Sequence, residues 1–482
     1  MKTDLLLRGT EVLRTVGTLP DEIDSLCDRS DLTKPGALYF CRKGESSDGK
    51  EYIPEAIAKG ALAVVAEEES DCTVAQIVVK DVIAAEAEIA KNFYDDPQRG
   101  LKIVGVVGTN GKTSVCHVLR AVFEKAGRKT FVVGTIGVYC GEKNRPSELT
   151  TPGLLETYSL LAEARSLGAE FFVTEVSAHA IAQRRMEGIY FETLVFTNCT
   201  EDHLDYFGDF SRYAAVKKSI FKRENCRRML VNSDDPVGIS LLAENEGFAF
   251  SYGIENPADA FAIDVSETAD GISYVVNLFD AIYDVTCPLV GYFNVYNTLA
   301  ASACAVLCGV PVHCVAEALA EMSPVPGRGE FVAKYRGGMV FVDYAHTPDG
   351  LQRILTSMKK LCGSRLICVF GCGGNREKEK RKSMGRIAGE LADFTVITND
   401  NPRFEDPLDV IRSIEEGTRS VTRDFLSVPD REKAIAYALS GMGEGDILLV
   451  AGKGAEDYQE TMGVRRHFSD REVILSLTGE TG

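Results

Sequence analysis

Short apolar runs alternate along most of the chain with longer segments in which apolar residues recur at helical spacing. The short runs predict buried strands, and the longer segments predict helices that cover them. Strands that alternate with helices typically form mostly parallel sheets with helices on both faces. We therefore predict an α/β fold. A chain of 482 residues is too long for one ordinary core, so about three domains are expected.

The first predicted unit, residues 1–99, is a small N-terminal α/β domain. It ends within the stretch Asp95–Gly100, which contains turn-forming residues, a proline and no apolar residue, and so predicts a linker. The predicted strands are Ala37–Cys41, Leu62–Ala66 and Gln76–Val79, and the predicted helices are Tyr52–Lys59 and Ile83–Phe93.

The second predicted unit, residues 100–326, is a central doubly wound, mostly parallel sheet. Between Gly247 and Leu289 apolar and polar residues alternate, which predicts a small antiparallel addition to the sheet. The segment Pro324–Gly329 predicts a second linker. The expected strands lie at 103–107, 130–134, 171–175, 193–198 and 228–232, and helices are expected at Thr113–Lys125 and Leu299–Cys308.

The third predicted unit, residues 327–482, is a Rossmann-like α/β domain. Glycine-rich turns at Gly371–Gly374 and Gly452–Gly454 follow two of its strands, where such folds usually bind ligands. Its expected strands are Met339–Tyr344, Arg365–Phe370, Phe394–Thr398, Phe425–Val428 and Ile447–Ala451.

A glycine-rich segment between a predicted strand and a predicted helix indicates a phosphate-binding loop. Its backbone N–H groups would lie at a helix N-terminus, where the helix dipole favours phosphate. Lys112 would add a positive charge, and Thr113 or Ser114 a hydroxyl for Mg²⁺. Val106 stands where the strict phosphate-loop pattern has glycine; the alternative is a tight turn with a surface lysine. The candidate ATP-binding residues of the loop are Gly108, Thr109, Asn110, Gly111, Lys112, Thr113 and Ser114.

Composition narrows the possible classes of protein. The formal net charge of −18, from 53 basic and 71 acidic residues, argues against a nucleic-acid binder or translocase. The fourteen cysteines lie mostly within apolar runs and are typical of buried side chains in a reducing compartment. No apolar run reaches the length of about 18 residues expected of a membrane span. We expect a cytoplasmic monomer that binds neither nucleic acid nor membrane.

Polar residues at other predicted strand ends are candidates for metal and substrate contacts. Glu175 could hold Mg²⁺, or it could be a solvated loop residue. His203 could be a second metal ligand or a surface cap. Lys217, on a predicted helix, would ordinarily be a solvated residue. Asp343 could accept hydrogen bonds from ribose hydroxyls, or it could belong to the turn ahead of a helix.

Two arginines in the third unit could bind carboxylates. Arg376 and Arg403 follow predicted strands, and guanidinium groups suit bidentate carboxylate recognition. The charge-rich run Arg376–Lys382 could equally be a solvated face. Taken together, the clusters indicate an ATP-dependent enzyme whose substrate carries several carboxylates.

Six motifs resemble those of the Mur ligases in their order and spacing, over essentially the whole chain. Ser30, Pro35–Phe40 and Asp48-Gly49 are similar to the N-terminal signature of the members that add the third amino acid to the nucleotide-linked peptide. The six motifs are Gly108–Ser114, Glu175–Ala180, Thr197–Tyr206, Gly291–Asn297, Asp343–Pro348 and Gly452–Gly454.

The resemblance implies a reaction and a set of functional residues. In it, ATP phosphorylates the free carboxylate of UDP-MurNAc-L-Ala-D-Glu, and an amine attacks the acyl phosphate to give an amide, ADP and phosphate. Alignment and charge neutralisation suffice for most of the phosphoryl transfer. The implied catalytic residues are Lys112, Glu175, His203 and Lys217; the implied Mg²⁺ ligands are Thr113, Glu175, His203 and a carbamylated Lys217. The implied further ATP contacts are Asn294, Asn297, Arg328, Asp343 and His346, and those to the UDP-sugar peptide are Ser30, Thr150, Thr151, Ser177 and Arg185.

The tetrad Asp400–Arg403 resembles the family signature for meso-diaminopimelate, whereas lysine-adding members usually carry a more acidic version. Diaminopimelate has a distal carboxylate for arginines to hold, and lysine has none. The residues implied to bind the amino acid are Arg376, Asp400, Asn401, Arg403, Gly452 and Glu456.

Several alternatives stay open at this point. They are the same reaction with lysine or another diamino acid, a folylpolyglutamate synthetase, and a non-catalytic nucleotide-binding regulator on the same fold. The sequence departs from the family pattern at Arg29-Ser30-Asp31, where the flanking charges are exchanged, and at Ala455, which replaces a histidine.

Overall fold

The computed structural model describes residues 1–44, 48–141 and 143–480. Three α/β domains follow one another, each with its own sheet, and a short hairpin is added to the third. The predicted fold class is confirmed. Within these residues, no helix has both the length and the apolar character needed to cross a membrane.

The N-terminal domain contains a five-stranded sheet in the order β1-β5-β4-β3-β2, in which only β1 runs antiparallel to its neighbour. The predicted strands and helices are present within one or two residues, apart from a 3₁₀ turn that replaces the start of the first predicted helix. Two strands were not predicted: β1 is an exposed edge strand, and β2 has only three residues. The elements are β1 Val12–Val16, β2 Ser25–Cys27, β3 Ala37–Phe40, β4 Ala61–Ala66, β5 Ala75–Val79, α1 Thr3–Leu6, α2 Ile53–Ala58 and α3 Val82–Phe93, with 3₁₀ turns at Ser30–Leu32 and Gly49–Tyr52.

The central domain contains an eleven-stranded sheet in the order β16-β15-β14-β13-β12-β11-β6-β10-β7-β8-β9. Its strands are β6 Lys102–Val107, β7 Thr130–Gly134, β8 Gly137–Cys140, β9 Lys143–Arg145, β10 Phe171–Val176, β11 Thr193–Phe196, β12 Met229–Asn232, β13 Ala249–Gly253, β14 Ala260–Thr268, β15 Gly271–Leu278 and β16 Ala281–Cys287. Its helices are α4 Lys112–Lys125, α5 Leu154–Ser166, α6 Ala178–Ala182, α7 Leu204–Phe207, α8 Phe210–Ser219, α9 Pro236–Glu244, α10 Phe293–Leu307 and α11 Val312–Glu321.

The antiparallel addition to the central sheet is smaller than the alternating pattern predicted. Strands β14, β15 and β16 are antiparallel, but β13 pairs in parallel with both β12 and β14. Alternation reports that one face of a strand is buried, and it carries no information on strand direction. The antiparallel strands β8 and β9 at the opposite edge were not predicted.

The C-terminal domain contains a six-stranded sheet in the order β17-β18-β22-β19-β20-β21, in which only the unpredicted edge strand β17 is antiparallel. A hairpin, β23 and β24, follows it and was also not predicted. The elements are β17 Glu330–Tyr335, β18 Gly338–Asp343, β19 Leu366–Phe370, β20 Phe394–Ile397, β21 Phe425–Ser427, β22 Ile447–Ala451, β23 Tyr458–Thr461, β24 Val464–His467, α12 Pro348–Leu361, α13 Glu379–Leu391, α14 Pro407–Arg419, α15 Arg431–Ser440 and α16 Asp470–Thr478.

The register of the central sheet places three strand ends side by side. Val107 of β6 is paired with Val176 of β10 on one side and with Phe196 of β11 on the other. Val106 is fully buried within β6, as expected of a residue in the entering strand. Phe123 of α4 stacks on Phe171 of β10 with ring centroids 3.8 Å apart, which holds the helix against the sheet. The segments that follow β6, β10 and β11 therefore emerge together.

A buried ion pair holds α15 and α16 to the C-terminal sheet. Arg431 donates from Nε and Nη2 to the two oxygens of Asp470, both at 2.7 Å, and both side chains are fully buried. Arg431 Nη2 also donates to the carbonyl of Ala451, the last residue of β22. The pair therefore supports the strand end that precedes Gly452.

Arg431→Ala is expected to lower the free energy of unfolding of the C-terminal domain by about 3–5 kcal/mol, because it leaves a buried carboxylate without its partner. Thermal and urea unfolding would measure the change. Arg412→Ala is the matched control, since Arg412 pairs with Asp409 on the surface and its loss is expected to cost under about 0.5 kcal/mol. Equal effects of the two substitutions would contradict the prediction.

Candidate functional site

A cleft of about 640 Å³ lies between the central and C-terminal domains. Both domains contribute the ends of their parallel strands, so most of the predicted site residues meet there. The predicted residues that line the cleft are Thr109, Asn110, Gly111, Lys112, Thr113, Ser114, Thr150, Glu175, Ser177, His203, Asn297, Arg328, Asp343, His346, Arg376, Asp400, Asn401, Arg403, Gly452 and Glu456.

The other predicted site residues lie behind the cleft wall or outside the cleft. Gly108 packs against Thr197, where an added Cβ would lie 1.8 Å from the threonine Oγ1. Asn294 is buried and accepts a 2.8 Å hydrogen bond from Asn297 Nδ2, so it supports a lining residue. Lys217 lies beneath Thr109. Ser30, Thr151 and Arg185 are considered with the peptide side below.

The phosphate loop is held open by contacts to the segment after β11. Asn198 accepts a 2.9 Å hydrogen bond from the backbone N–H of Asn110 and donates to its carbonyl at 3.1 Å. Gly111 has φ +87°, and an added Cβ would lie 2.4 Å from Asn297 Oδ1. Only glycine fits both the left-handed backbone and the close approach at this position.

Lys112 folds back over the loop that precedes it. Its Nζ donates to the carbonyls of Gly108 and Thr109 at 2.8 and 2.9 Å. Burial lowers the pKa of Lys112, while the Glu175 carboxylate opposes that shift. A phosphate group bound in the loop would offer this ammonium a stronger partner than two carbonyls, since hydrogen bonds between charged groups are the stronger kind.

The Glu175 carboxylate accepts several hydrogen bonds at the floor of the cleft. Its Oε1 accepts hydrogen bonds from Thr113 Oγ1 at 3.0 Å and from the Thr135 backbone N–H at 2.7 Å, and its Oε2 accepts from Thr135 Oγ1 at 3.2 Å. Arg328 donates to Thr113 Oγ1 at 3.1 Å. Residues that follow β6 and β7 and a residue of β10 therefore converge on one carboxylate.

The oxygen donors around Glu175 fit Mg²⁺. A carboxylate and a threonine hydroxyl 3.0 Å apart are hard ligands, and Mg²⁺ is usually held by one or two such groups together with phosphates and water. Throughout residues 1–44, 48–141 and 143–480, no three His, Cys, Asp or Glu side chains form a ready metal cage. The Glu175 carboxylate and the Thr113 hydroxyl suit a metal that also has phosphate ligands.

His203 and Lys217 both lie close to the Tyr213 ring. The His203–Tyr213 ring centroids are 6.5 Å apart, and Lys217 Nζ lies 4.2 Å from the Tyr213 ring centroid. Burial lowers the pKa of His203 to about 4, so its imidazole is neutral at physiological pH and has a lone pair for a metal. His203 adopts φ +57°, and its Nε2 is 3.3 Å from Asp202 Oδ2.

Lys217 is not the solvated helix residue that its residue type alone suggests. Its side chain is fully buried, and Nζ donates a 2.6 Å hydrogen bond to Thr109 Oγ1. Burial lowers the pKa of Lys217 to about 7, with Lys112 adding to the effect. A large part of the Lys217 population is therefore a neutral amine at pH 7, which is the form that can add CO₂ to give a carbamate.

In the C-terminal domain, a polar cluster lies at the ends of β20 and β22. Lys453 is fully buried; its Nζ lies 3.2 Å from Glu456 Oε2 and 3.3 Å from Asn401 Oδ1. Asn401 Nδ2 donates to Glu456 Oε2 at 2.9 Å. Burial raises the pKa of Glu456, while Lys453 opposes the shift. The cluster fixes the carboxylate of Glu456 at the cleft wall.

Asp343 and Arg328 form the rim of the cleft between the phosphate loop and β18. Asp343 accepts 2.7 Å hydrogen bonds from the backbone N–H groups of Gly329 and Ala345, one on each oxygen. Burial raises the pKa of Asp343 to about 6. The Arg328 guanidinium stacks 4.1 Å from the Tyr344 ring centroid. His346 lines the cleft, and burial lowers its pKa to about 4.

The predicted peptide contacts form a chain from Glu175 outward. Thr151 Oγ1 donates to the Glu175 carbonyl at 2.9 Å and accepts from the Ser177 backbone N–H at 3.0 Å. Arg185 Nη1 donates to the Thr151 carbonyl at 2.8 Å. Ser30 lies in the N-terminal domain, where its Oγ donates to Glu55 Oε2 at 2.6 Å.

The two residues beside Ser30 whose charges are exchanged relative to the family pattern, Arg29 and Asp31, contact each other. Arg29 Nη2 donates to Asp31 Oδ2 at 2.8 Å, and both side chains are more than half exposed. Arg29 and Asp31 therefore form a local ion pair on the surface of the N-terminal domain.

Several residues that line the cleft were not among the predicted site residues, and Asn198 and Lys380 are two of them. Asp349, beside the cleft, was not predicted either. Asp349 of α12 accepts a 2.8 Å hydrogen bond from Asn110 Nδ2, so the C-terminal domain touches the phosphate loop directly. Asn198 lies within the motif Thr197–Tyr206, one of the six that carry the family resemblance. Lys380 belongs to a charged run whose tertiary environment no local pattern reveals.

Comparison with known proteins places the chain among enzymes of one kind. Family models match in three segments: "Mur ligase family, catalytic domain" at residues 27–97, "Mur ligase middle domain" at residues 106–305, and "Mur ligase, glutamate ligase domain" at residues 327–454.

Full-length relatives share the same domain order. A protein of Caldanaerobacter subterraneus named UDP-N-acetylmuramoyl-L-alanyl-D-glutamate--2,6-diaminopimelate ligase is 37% identical over 462 residues, which is 95% of each chain. A protein of the same name from Clostridium botulinum is 38% identical over 490 residues and covers 100% of each. A solved structure of a ligase of this name has a TM-score of 0.68 at 28% identity and covers 95% of each chain.

Lys217→Met is expected to stabilise the protein by about 1–4 kcal/mol at pH 6, because it removes a buried charge. The pKa of a lysine is about 10.5 in the unfolded chain, and burial lowers that of Lys217 to about 7. Between these pH values the folded protein binds fewer protons than the unfolded chain. The destabilisation caused by the buried lysine is therefore greatest below pH 7 and decreases as the pH rises. The gain in Tm is therefore expected to be larger at pH 6 than at pH 9, in CO₂-free buffer without divalent cations. Lys218→Met, at the neighbouring and partly exposed lysine, is the control, and an identical gain for Lys217→Met at both pH values would contradict the prediction.

Proposed function

The chain belongs to the Mur ligase family, and we propose that it joins meso-diaminopimelate to the free carboxylate of UDP-MurNAc-L-Ala-D-Glu, converting ATP to ADP and phosphate. The enzyme is thus an ATP-dependent, ADP-forming ligase of peptidoglycan precursor synthesis. Relatives named for this reaction align along the whole chain.

One observation carries the proposal: a phosphate loop and two arginines face each other in one cleft. Lys112 and Thr113 lie on the central domain, whereas Arg376 and Arg403 lie on the C-terminal domain. The first pair suits the phosphates of ATP. The second suits a carboxylate on the incoming amino acid.

The residues of this chain have distinct roles in the proposed reaction. Lys112 neutralises charge on the transferred phosphoryl group, which transfers to the D-glutamyl carboxylate to form an acyl phosphate. The amine of diaminopimelate attacks this group, an amide bond forms, and phosphate leaves. Ser177 and Thr150 line the cleft beside Glu175 and are proposed to hold the peptide end of the nucleotide substrate.

Mg²⁺ supplies Lewis-acid charge to the phosphates when it is bound. Thr113 and Glu175 are the proposed protein ligands of one ion, and His203 with a carbamylated Lys217 the proposed ligands of a second. The neutral imidazole of His203 and the near-neutral pKa of Lys217, both products of burial, support these assignments.

Recognition of the amino acid is assigned to the C-terminal domain. Arg376 and Arg403 are proposed to bind the distal carboxylate, and Glu456, Asp400 and Asn401 the distal ammonium group. Lysine would leave both guanidiniums without the distal carboxylate that diaminopimelate offers them.

The domains and the location follow from the same proposal. We assign residues 1–99 to UDP-sugar binding, residues 100–326 to ATP binding and residues 327–482 to amino-acid binding. The cytoplasm is the proposed location, where ATP is available; eleven of the fourteen cysteines are buried side chains, as suits a reducing compartment.

Phosphate release from ATP and Mg²⁺ in the presence of UDP-MurNAc-L-Ala-D-Glu is expected to require an amino acid, and to prefer meso-diaminopimelate over L-lysine. The measurement is phosphate release with each amine, with product mass determined in parallel. Preference for lysine would overturn the diaminopimelate assignment. Nucleotide binding without phosphate release in the presence of any amine would favour the non-catalytic regulator.

Arg403→Ala is expected to raise the KM for meso-diaminopimelate by about tenfold or more, because a hydrogen bond to a charged group contributes roughly 1.5–3 kcal/mol. The KM for ATP should change little. Arg412→Ala, a surface arginine on α14, is the control. Full diaminopimelate activity in Arg403→Ala would remove the reason given for the specificity.

A further inference from the structure

Two neighbouring loops carry the arginines that face the cleft from the C-terminal domain. The first arginine loop, residues 371–378, follows β19 and contains Arg376. The second arginine loop, residues 398–406, follows β20 and contains Arg403. Because β19 and β20 are adjacent parallel strands, the two loops leave the sheet side by side, and their relative position determines the distance between the guanidiniums.

The backbones of the two loops are in close contact. The Gly374 N–H donates to the Asn401 carbonyl at 2.9 Å, and Arg403 Nη1 donates to the Gly374 carbonyl at 2.7 Å. A Cβ added to Gly374 would lie 1.9 Å from the Pro402 carbonyl oxygen. The two loops therefore lie too close together for any side chain at position 374.

A buried ion pair joins the two loops from behind. Arg381 of α13 donates from Nη1 and Nη2 to the two oxygens of Glu405, at 2.9 and 2.8 Å. The Arg381 side chain is 1% exposed, and that of Glu405 is 19% exposed. Glu405 belongs to the second arginine loop and also accepts a hydrogen bond from the Asn375 N–H of the first.

Arg381 also contacts the first arginine loop. Its Nη2 lies within 3.4 Å of the Gly373 carbonyl oxygen and 3.5 Å of that of Arg376. Its Nε has no hydrogen-bond partner in the part of the chain that the structure describes. The Glu405 carboxylate is consequently the main compensation for a guanidinium that is almost completely removed from water.

Each loop holds one residue in a backbone conformation that the pair helps to maintain. Asn375 has φ +51° and Arg403 has φ +52°. Residues other than glycine adopt this left-handed region at an energetic cost, and they keep it only where surrounding contacts impose it. Glu405 accepts from the N–H of Asn375, and Asn375 Oδ1 accepts from the N–H of Phe404 at 3.0 Å, directly after Arg403.

We propose that Arg381 and Glu405 are a positioning pair for amino-acid selection: by tying the two arginine loops together, they set the spacing of Arg376 and Arg403 for a carboxylate on the incoming amino acid. Neither member of the pair lines the cleft, whereas both cleft arginines do. The pair therefore acts through the arginines and does not touch the substrate. This inference rests on the proposed function, since it deepens the assignment of the distal carboxylate to Arg376 and Arg403.

The test uses Glu405→Gln and Arg381→Lys in the full-length enzyme, with steady-state kinetics for meso-diaminopimelate, L-lysine and ATP. Each substitution keeps the size of the side chain but weakens the bidentate ion pair. The KM for diaminopimelate is expected to rise about tenfold or more in both variants, with the KM for ATP within about twofold of wild type. The ratio of kcat/KM for diaminopimelate to that for lysine should fall by a similar factor.

Arg386→Lys and Glu390→Gln are matched controls, because Arg386 and Glu390 form an exposed pair on the same helix. They are expected to leave every kinetic constant unchanged. A merely structural role for the Arg381–Glu405 pair predicts a lower Tm with activity lost equally for both amino acids. Unchanged discrimination between the two amino acids in the folded Glu405→Gln variant would overturn the proposal, and Arg381→Lys decides if Glu405→Gln does not fold.

A double-mutant cycle tests whether the pair acts through Arg403. In an Arg403→Ala background, adding Glu405→Gln is expected to raise the KM for diaminopimelate by much less than it does in wild type, because coupled residues are non-additive. Full additivity would contradict the positioning role. If the wild-type enzyme does not use diaminopimelate, the proposed function is wrong. If the wild-type enzyme uses it and the Arg381 and Glu405 variants have unchanged kinetic constants, only the positioning role of the pair is wrong.

Discussion

The central part of the cleft depends on the hydrogen bonds that the Glu175 carboxylate accepts. This carboxylate accepts hydrogen bonds from the hydroxyl of Thr113 and from both the backbone and the side chain of Thr135. These residues follow different strands, so one anionic group joins three strand ends. Gly134 permits the contact, since a Cβ there would lie 2.2 Å from Glu175 Oε1. The fully buried strand β10 fixes the carboxylate in turn.

Burial gives the surrounding side chains protonation states that they would not have in water. Removal from solvent lowers the pKa of His203, of His346 and of Lys217, and it raises that of Asp343. Near pH 7 the two histidines are thus neutral and the lysine is partly neutral, close to a site that is suited to anionic phosphates. The net charge of −18 therefore says little about the cleft itself, where local groups decide which ligands are attracted.

Much of the architecture could be predicted because it depends on local patterns. The buried strands produce continuous apolar runs, and residues such as Glu175 could be placed at a shared sheet edge because parallel strands end together. The position of Val106 within β6 also follows from its apolar neighbours. What could not be predicted depends on tertiary contacts or on strand direction. The short strand β2 and the exposed strand β1 have no buried run, and the alternation around β13 does not distinguish a parallel partner from an antiparallel one.

The same limit applies to the candidate site. Lys217 and Arg381 are charged residues on helices, and nothing in their local sequence distinguishes them from solvated lysines and arginines. In the folded protein Lys217 contacts Tyr213 and Thr109, and Arg381 pairs with Glu405. The resemblance to a family pointed to Lys217, but Arg381 lies outside the motifs that carry that resemblance.

The contact between Asp349 and Asn110 makes the two halves of the cleft thermodynamically dependent on each other. The backbone N–H of Asn110 donates to Asn198, and its side-chain amide donates to Asp349. A movement of α12 would therefore change a hydrogen bond of the phosphate loop. If a bound nucleotide favours a position of α12 that changes the affinity of the C-terminal domain for its ligand, the coupling is reciprocal. That ligand then changes the affinity for the nucleotide by the same factor. A single amide–carboxylate hydrogen bond between domains therefore couples the affinities of the two sides of the cleft for their ligands.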